Sequence, residues 1–255
     1  MSPSSLARLQ RLAALKAEVR AIESIGRGEQ RPCLPFGIAS VDRRLAGGGL
    51  ATGCLHEVAG ASPALGCDAA ATLFIAGIAA RLGKQVLWAL ARRDLFAPGL
   101  ALAGLAPDRV LYAECGTDED VLAVMEEGLR HGSLGAVVGE IGRAAMASTR
   151  RLQLAAEAHG TTALMLRRWR KGADDPLGAP SAAVTRWRLA PAPSTPLPTA
   201  GIGRARWHVD LVRQRGGDPF EFLLEASDAE GRLALPAEPR DRPHQAAGAE
   251  RRRAA

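Results

Sequence analysis

A loop between a strand-like run and a long helical pattern has the position of a phosphate-binding loop without its chemistry. A working loop, G-x-x-x-x-G-K-[ST], wraps phosphates with backbone N–H groups, reaches them with a Lys and binds Mg²⁺ through a hydroxyl. Here the loop follows the apolar run 55–59, and Gly60 and Gly66 are separated by five residues instead of four. Cys67 stands in place of the Lys, and Asp68 stands in place of the hydroxyl residue.

The substitutions predict a degenerate phosphate loop that holds no cofactor and no metal. A carboxylate at a helix N-terminus satisfies the positive end of the helix dipole and repels a phosphate. The alternative interpretation is an ordinary strand-to-helix turn rich in Gly, Ser and Pro. A nucleophilic role for Cys67 is not favoured, because no His-based dyad accompanies it in the sequence. We therefore expect no catalytic residue here.

Composition narrows the class of protein. The chain has 255 residues, 47% of them hydrophobic, which suffices for one sizeable core. Its formal net charge of +6 comes almost entirely from Arg, since Lys occurs only at positions 16, 84 and 171. This balance suits a polyanionic partner, although Arg with abundant Ala also follows from a GC-rich genome. The four widely spaced cysteines indicate neither zinc nor disulfides, and the longest uncharged stretch, 69–80, is too short for a bilayer. We expect a cytoplasmic protein.

An amphipathic helix is predicted over residues 4 to 24. Its apolar side chains recur at three- and four-residue spacing and lie outside the alternating core pattern, at Leu6, Leu9, Leu12, Leu15, Val19 and Ile22. The turn-rich stretch 26–35 separates this helix from the rest of the chain. Residues 1–28 are therefore predicted to form a separate helical element, which either docks on a partner or packs back on its own sheet.

The rest of the chain predicts an α/β core over residues 29–235. Continuously apolar strands alternate with helices, which indicates a mostly parallel sheet covered on both faces. The expected strands are 54–59, 85–90, 109–113, 134–138 and 161–166, and the expected helices are 68–82, 97–105, 117–131 and 144–159. Three alternating segments, 183–189, 205–213 and 220–225, indicate an antiparallel β extension. The polar, Pro-rich end, 236–255, is predicted to be disordered.

The order of these pieces resembles the RecA core, and within that superfamily the chain is similar to the ImuA family. These are RecA-like accessory proteins of bacterial damage-induced mutagenesis. The similarity spans roughly residues 34 to 226. It is carried by the segments 86–100, 107–114, 136–140, 150–157 and 162–170. The resemblance implies a RecA-like fold and no independent catalysis. It also implies a role in SOS-induced translesion synthesis beside an ImuB-like polymerase-family protein, RecA and an error-prone replicative-type polymerase, with nucleoid association on DNA damage.

Two further positions bear on nucleotide chemistry. The place where RecA keeps its water-activating Glu is occupied by Arg93, so no general base faces a γ-phosphate. Glu140 ends the fourth strand, at the place of a Walker-B acid. It is interpreted either as a residual metal ligand or as a charge at a helix N-terminus. A divergent ATP-driven recombinase is disfavoured by the missing Lys. A cell-division inhibitor related to SulA, which also has a RecA-like fold and no P-loop, remains the alternative function.

Arg and Trp occur together in three clusters, and the pairing is typical of single-stranded nucleic-acid sites. The RecA resemblance places the first cluster on a DNA-facing loop and so predicts DNA contact at Arg167, Arg168, Trp169, Arg170 and Lys171. The other clusters surround Trp187 and Trp207. Alternation in a half-buried sheet would instead place these two Trp inward and their Arg neighbours outward. Trp88 is predicted to lie in the core.

Overall fold

The computed structural model describes residues 31–170, 174–195, 197 and 200–236, together with the helical residues Arg11, Ala14 and Leu15. Ten strands are present in this part of the chain: β1 (Cys33–Leu34), β2 (Leu50–Ala51), β3 (Leu55–Gly60), β4 (Val86–Leu90), β5 (Val110–Glu114), β6 (Ala136–Ile141), β7 (Thr162–Arg167), β8 (Thr185–Ala192), β9 (Arg206–Gln214) and β10 (Phe220–Glu225). The helices are α1 (Ala39–Asp42), α2 (Leu65–Arg81), α3 (Ala97–Leu102), α4 (Asp118–His131) and α5 (Met146–His159).

One eight-stranded sheet organises the molecule, with strand order β10-β9-β8-β3-β7-β6-β4-β5. β3 lies between β7 and β8 and is parallel to both, whereas β9 is antiparallel to β8 and to β10. β1 and β2 form a separate antiparallel pair. The predicted mostly parallel sheet with an antiparallel extension is confirmed, and the architecture is consistent with a RecA-like core.

Helices cover the two faces of the sheet and create two apolar cores. The first core contains Phe74 of α2, Leu100 of α3 and the aromatic side chains of the extension, with Trp187 and Trp207 only 1% and 3% exposed. The second contains Met125 of α4 and Leu152 of α5. Strand residues alternate between the two cores because successive side chains of a strand point to opposite faces. Trp88 is fully buried, which confirms its predicted core position. The burial of Trp187 and Trp207 agrees with the interpretation that alternation places them inward.

Local sequence explains where α4 begins and ends. The Thr117 hydroxyl accepts from the backbone N–H of Asp120, and the Asp120 carboxylate accepts from the backbone N–H of Thr117. This reciprocal arrangement satisfies two donors that the first helical turn leaves free. At the other end Gly132 adopts a left-handed conformation with φ 73°, which glycine reaches without steric cost. The N-terminus of α4 lies beside the carboxyl end of β6, where the Asp118 carboxylate accepts from the backbone N–H groups of Gly142 and Arg143.

β3 carries an imidazole that is completely buried. The His56 Nδ1 atom lies 2.7 Å from the hydroxyl of Thr185, and Nε2 lies 2.7 Å from the carbonyl oxygen of Ala51. The Thr185 oxygen also accepts from the indole N–H of Trp187. A carbonyl oxygen only accepts, so Nε2 carries the proton and Nδ1 accepts from the hydroxyl. Burial lowers the pKa of His56 from 6.5 to about 4, and the ring is held neutral.

Two predicted segments extend outside the described residues. Of the stripe Leu6, Leu9, Leu12, Leu15, Val19 and Ile22, only Leu15 is described; it is helical and 55% exposed. Residues 237–255, most of the C-terminal segment, also lie outside them. Within the described part, no helix is both long and apolar enough to cross a membrane.

Candidate functional site

The turn after β3 brings helix α2 very close to the strand end. A Cβ atom on Gly60 would lie 2.9 Å from the carbonyl carbon and the Cβ of Cys67. Glycine is therefore required at position 60 by the close approach of α2. A Cβ atom on Gly66 would meet only the ring of Pro191, at 3.4 Å. Packing thus accounts for the first loop glycine and places no comparable demand on the second.

The two residues that replace the phosphate-loop Lys and Ser/Thr lie in the first turn of α2. Cys67 is buried, and its Sγ is 3.3 Å from the hydroxyl of Ser62. Asp68 Oδ2 is 3.4 Å from Nη1 of Arg168, while Oδ1 is buried without a hydrogen-bond partner. Burial raises the pKa of Asp68, and the nearby Arg168 guanidinium counteracts this effect. Neither side chain offers a cation to a phosphate.

Arg168 is the centre of an ion-pair cluster at this position. Its Nη2 and Nε atoms donate to Oε2 of Glu140 at 2.6 and 2.9 Å. The other oxygen of Glu140 accepts from the indole N–H of Trp88 at 2.7 Å. Asp94 lies 3.8 Å from Nη2. Burial disfavours the charge of Arg168, but Glu140 and Asp68 outweigh that effect and raise the pKa of the guanidinium above its ordinary value.

The cluster shows that this chain's residues do not fit a bound Mg²⁺–nucleotide. In working P-loop proteins the metal is held by the loop Ser/Thr and the Walker-B acid. The corresponding positions here, Asp68 and Glu140, are bridged by the guanidinium of Arg168. The sequence offered two interpretations of Glu140, a residual metal ligand or a charge at a helix N-terminus. The structure gives it a different role, because its carboxylate is the buried partner of Arg168.

Little space remains beside this ion pair. The cavity lined by Glu140, Arg168 and Asp118 measures about 40 Å³, which is room for a few water molecules. Pockets that enclose drug-sized ligands occupy several hundred Å³. Among the described residues, no three or more His, Cys, Asp and Glu side chains are grouped so that they could hold a metal ion.

The segment predicted to contact DNA is tied to the protein by several of its own side chains. Arg167 is the last residue of β7, one residue beyond the predicted strand end, and is 2% exposed. The Trp169 indole donates to the carbonyl oxygen of Gly60 at 2.8 Å, so it anchors the segment to the loop after β3. Arg170 is exposed and pairs with Asp118 at 2.5 Å. Lys171 lies outside the described residues.

A buried charged triad, which the apolar spacing does not predict, lies on the opposite face of the sheet from Arg168. Glu57 is fully buried, and its two oxygens accept from Arg167 Nη1 at 3.0 Å and Arg186 Nε at 2.7 Å. The three residues meet because β7 and β8 both flank β3. The signal that was available is a carboxylate inside the apolar run 55–59, since such a residue needs a buried partner.

The other arginines singled out in the sequence differ in how far they are exposed to solvent. Arg93 is highly exposed, and its guanidinium pairs with Glu114 at 2.5 Å. Arg188 and Arg206 are only partly buried, as alternation predicts, but Arg186 is 7% exposed and contradicts that pattern. The physical reason is the Glu57 carboxylate, which a buried Arg neutralises.

The fold and the site together define an α/β protein, consistent with a RecA-like core, in which the Arg168 guanidinium bridges the carboxylates of Asp68 and Glu140. The chain is 38% identical over 207 residues to Protein ImuA from two strains of Caulobacter vibrioides, NA1000 / CB15N and ATCC 19089 / CIP 103742 / CB 15. Each match covers 78% of this chain and 85% of the relative. The chain therefore belongs to the ImuA family, which is involved in damage-induced mutagenesis. No protein-family model matches it.

Proposed function

We propose that this protein is a non-catalytic adaptor of the SOS-induced translesion synthesis complex. In this role it bridges an ImuB-like polymerase-family protein, RecA and an error-prone replicative-type polymerase, in the cytoplasm and at the nucleoid after DNA damage. Membership of the ImuA family supports the process. The partners follow from the family resemblance of the sequence.

The observation that carries the non-catalytic part is the position of Arg168. Its guanidinium binds Glu140 at 2.6 Å and lies 3.4 Å from Asp68. A metal–nucleotide complex would have to displace this guanidinium and would then meet Cys67 where the phosphate-binding Lys is needed. Each missing charge-assisted contact forfeits about 1.5–3 kcal/mol of phosphate affinity.

Calorimetric titration and a turnover assay test this part directly. With the purified full chain, Mg²⁺ and up to millimolar ATP, we expect no measurable heat of binding and no phosphate release. A micromolar Kd, or Mg²⁺-dependent turnover that disappears in Gly66→Val, would refute the proposal. Gly66→Val is the variant of choice because it alters the second loop glycine, where an added Cβ atom would meet only the ring of Pro191, at 3.4 Å.

The N-terminal stripe at Leu6, Leu9, Leu12, Leu15, Val19 and Ile22 is proposed as the partner-docking surface. Support comes from its sequence spacing and from the exposed side chain of Leu15. Helices that dock in grooves use anchors at i, i+3 and i+7, and each buried Leu contributes about 1.5–3 kcal/mol before ordering costs.

A pull-down with purified partners tests the docking surface. We expect that Leu9→Glu/Leu12→Glu abolishes capture of at least one of the three partners and leaves the melting temperature unchanged. The matched control, Gln10→Glu/Ala17→Glu, adds the same number of carboxylates on the opposite side of the predicted helix and should retain capture. If the stripe variant lowers thermal stability and still captures every partner, the helix packs on its own core and the docking proposal is wrong.

Contact with single-stranded DNA through the segment 167–171 is part of the same proposal. The net charge of +6 supports it, because a cationic protein releases counterions when it binds a polyanion. The position of Arg168 restricts this contact, because its guanidinium is already bound to Glu140 and lies close to Asp68. Arg167 differs, because it shares the single carboxylate of Glu57 with Arg186.

A further inference from the structure

A cavity of about 660 Å³ lies beyond the carboxyl ends of β6 and β7. Its walls are the loop 142–145 before α5, the first residues after β7 and the segment 174–179. Its charged lining consists of four arginines and two aspartates, namely Arg143, Arg167, Arg168, Arg170, Asp174 and Asp175. Unlike the small space beside Glu140, this cavity is large enough to admit a ligand.

Most of these lining charges are neutralised inside the protein. Arg168 pairs with both Glu140 and Asp68, Arg170 pairs with Asp118, and Asp175 pairs with Arg188. Arg143 forms no ion pair within the described part of the chain, and neither does Asp174. Arg143 and Asp174 carry opposite charges, so the rim of the cavity has no excess of positive charge.

The excess positive charge lies in the floor of the cavity. Arg167 lines the cavity, and with Arg186 it shares the single carboxylate of Glu57. The side chains of the two arginines are only 3% and 8% exposed. Two guanidinium groups against one carboxylate leave one positive charge uncompensated in a buried place, which is unfavourable unless an anion neutralises it.

Unused hydrogen-bond donors accompany this charge. Nε of Arg167, which lines the cavity, is buried and has no acceptor, and the same holds for Nη2 of Arg186, which is outside the lining. Leaving buried donors unpaired is costly, so native proteins pair almost all of them. The lining also includes Ala144 and Ala145, and Ala145 is the N-cap of α5 and supplies no side-chain cap. The first-turn N–H groups of a helix favour an anion at such a position.

We propose that this cavity binds a phosphate group of single-stranded nucleic acid, with Arg167 in the floor and Arg143 at the rim. A phosphodiester carries one negative charge and two free oxygens, which suits a buried excess of one positive charge and guanidinium donors. The cavity volume exceeds that of one phosphate and leaves room for the adjoining backbone. The inference deepens the DNA contact within the proposed function and does not depend on the protein partners.

Two variants test the site without leaving the buried Glu57 carboxylate unpaired. Arg167→Met leaves Glu57 paired one-to-one with Arg186, so the buried charge becomes neutral and the fold should be retained. Arg143→Gln removes the exposed cation and does not disturb the core. The matched control is Arg43→Gln, because Arg43 is exposed and follows α1, outside the residues that line the cavity.

The assay is the fluorescence anisotropy of a labelled oligothymidylate with the full chain, over a range of salt concentrations. We expect each site variant to weaken binding about tenfold or more at low salt. Each should also reduce the log–log salt slope by about 0.7, the value for one lost phosphate contact on a single strand. Arg43→Gln should reproduce the wild-type affinity and slope.

Competition separates the sources of the anion. Unlabelled oligothymidylate should displace the probe at far lower charge concentration than polyglutamate. Equal competition by polyglutamate, or stabilisation by inorganic phosphate without oligonucleotide binding, would overturn the assignment to nucleic acid. Wild-type binding by both site variants would overturn the site itself. Partner capture should be unaffected in both variants, so failure here is distinguishable from failure of the adaptor proposal.

Discussion

We expect the effects of mutating Arg168 and Glu140 on the free energy of unfolding to be strongly non-additive. Arg168→Met would leave the Glu140 side chain, which is 4% exposed, with Trp88 as its remaining hydrogen-bond donor. Removing one partner of a buried ion pair costs about 3–5 kcal/mol. Because Arg168 is itself 12% exposed, we expect the lower end, about 3 kcal/mol. Glu140→Gln keeps an acceptor for Trp88 and removes the charge that attracts Arg168.

A double-mutant cycle measures the coupling. In Arg168→Met/Glu140→Gln neither charge is left unpaired, so the double variant should be less destabilised than the sum of the single variants by about 2 kcal/mol. The surface pair Arg93–Glu114 is the matched control, since its side chains are 82% and 54% exposed at a distance of 2.5 Å. Its coupling should stay below about 1 kcal/mol.

Urea unfolding followed by tryptophan fluorescence and far-ultraviolet circular dichroism gives the four free energies of each cycle. Agreement of the two probes is needed, because the cycle requires two-state unfolding. The reasoning is refuted if the Arg168–Glu140 coupling is no larger than that of Arg93–Glu114. It is also refuted if Arg168→Met is as stable as the wild type.

Three further outcomes follow from single positions. His56 has a folded pKa of about 4 against an ordinary value of 6.5, so the unfolded chain takes up its proton first as the pH falls. The free energy of unfolding should therefore drop by about 2 kcal/mol between pH 7 and pH 5. Urea unfolding midpoints plotted against pH should fall less steeply in His56→Gln than in the wild type. Equal slopes for the two proteins would contradict this prediction. Gly60→Ala should destabilise the protein by about 1–3 kcal/mol, because its Cβ would meet Cys67 at 2.9 Å; an unchanged melting temperature would show that α2 can shift at no cost. Thr117→Ala removes the N-cap of α4 and should cost about 1 kcal/mol, or about 2–4 °C in melting temperature; Thr117→Ser, which keeps the hydroxyl, should stay close to wild type.

Element types were predictable because their signals are local. Alternating and helical spacing of apolar residues placed every strand of the large sheet, and the boundaries agree within a few residues. The start of α2 was placed at Asp68, whereas the helix begins at Leu65. Leu65 is 84% exposed and Gly66 has no side chain, so this first turn adds nothing to an apolar pattern. Similarly, α3 ends at Leu102 instead of 105, before Gly104 adopts a φ of 92°.

The role of the charged residues was less predictable. The family resemblance predicts both Arg167 and Arg168 on a DNA-facing loop, but the two side chains extend from the strand end to opposite faces of the sheet. One neutralises Glu57 and the other neutralises Glu140. An arginine-rich tract looks the same in the sequence whether its side chains face a phosphate or a buried carboxylate. Whether an Arg side chain is free for a phosphate depends on whether the fold places an Asp or Glu carboxylate against it.

The sequence by itself determined the α/β class and the antiparallel extension, and it predicts the loss of nucleotide chemistry. The first two depend on apolar spacing along the chain, and the third depends on residue types at fixed positions such as Cys67 and Asp68. Tertiary structure alone decided which groups meet at these positions, where the Arg168 guanidinium lies between Asp68 and Glu140. Arg168 lies 100 residues from Asp68, and Glu57 lies 129 residues from Arg186. Such pairs meet because the sheet order places β7 and β8 beside β3, and local spacing carries no information about which strands become neighbours.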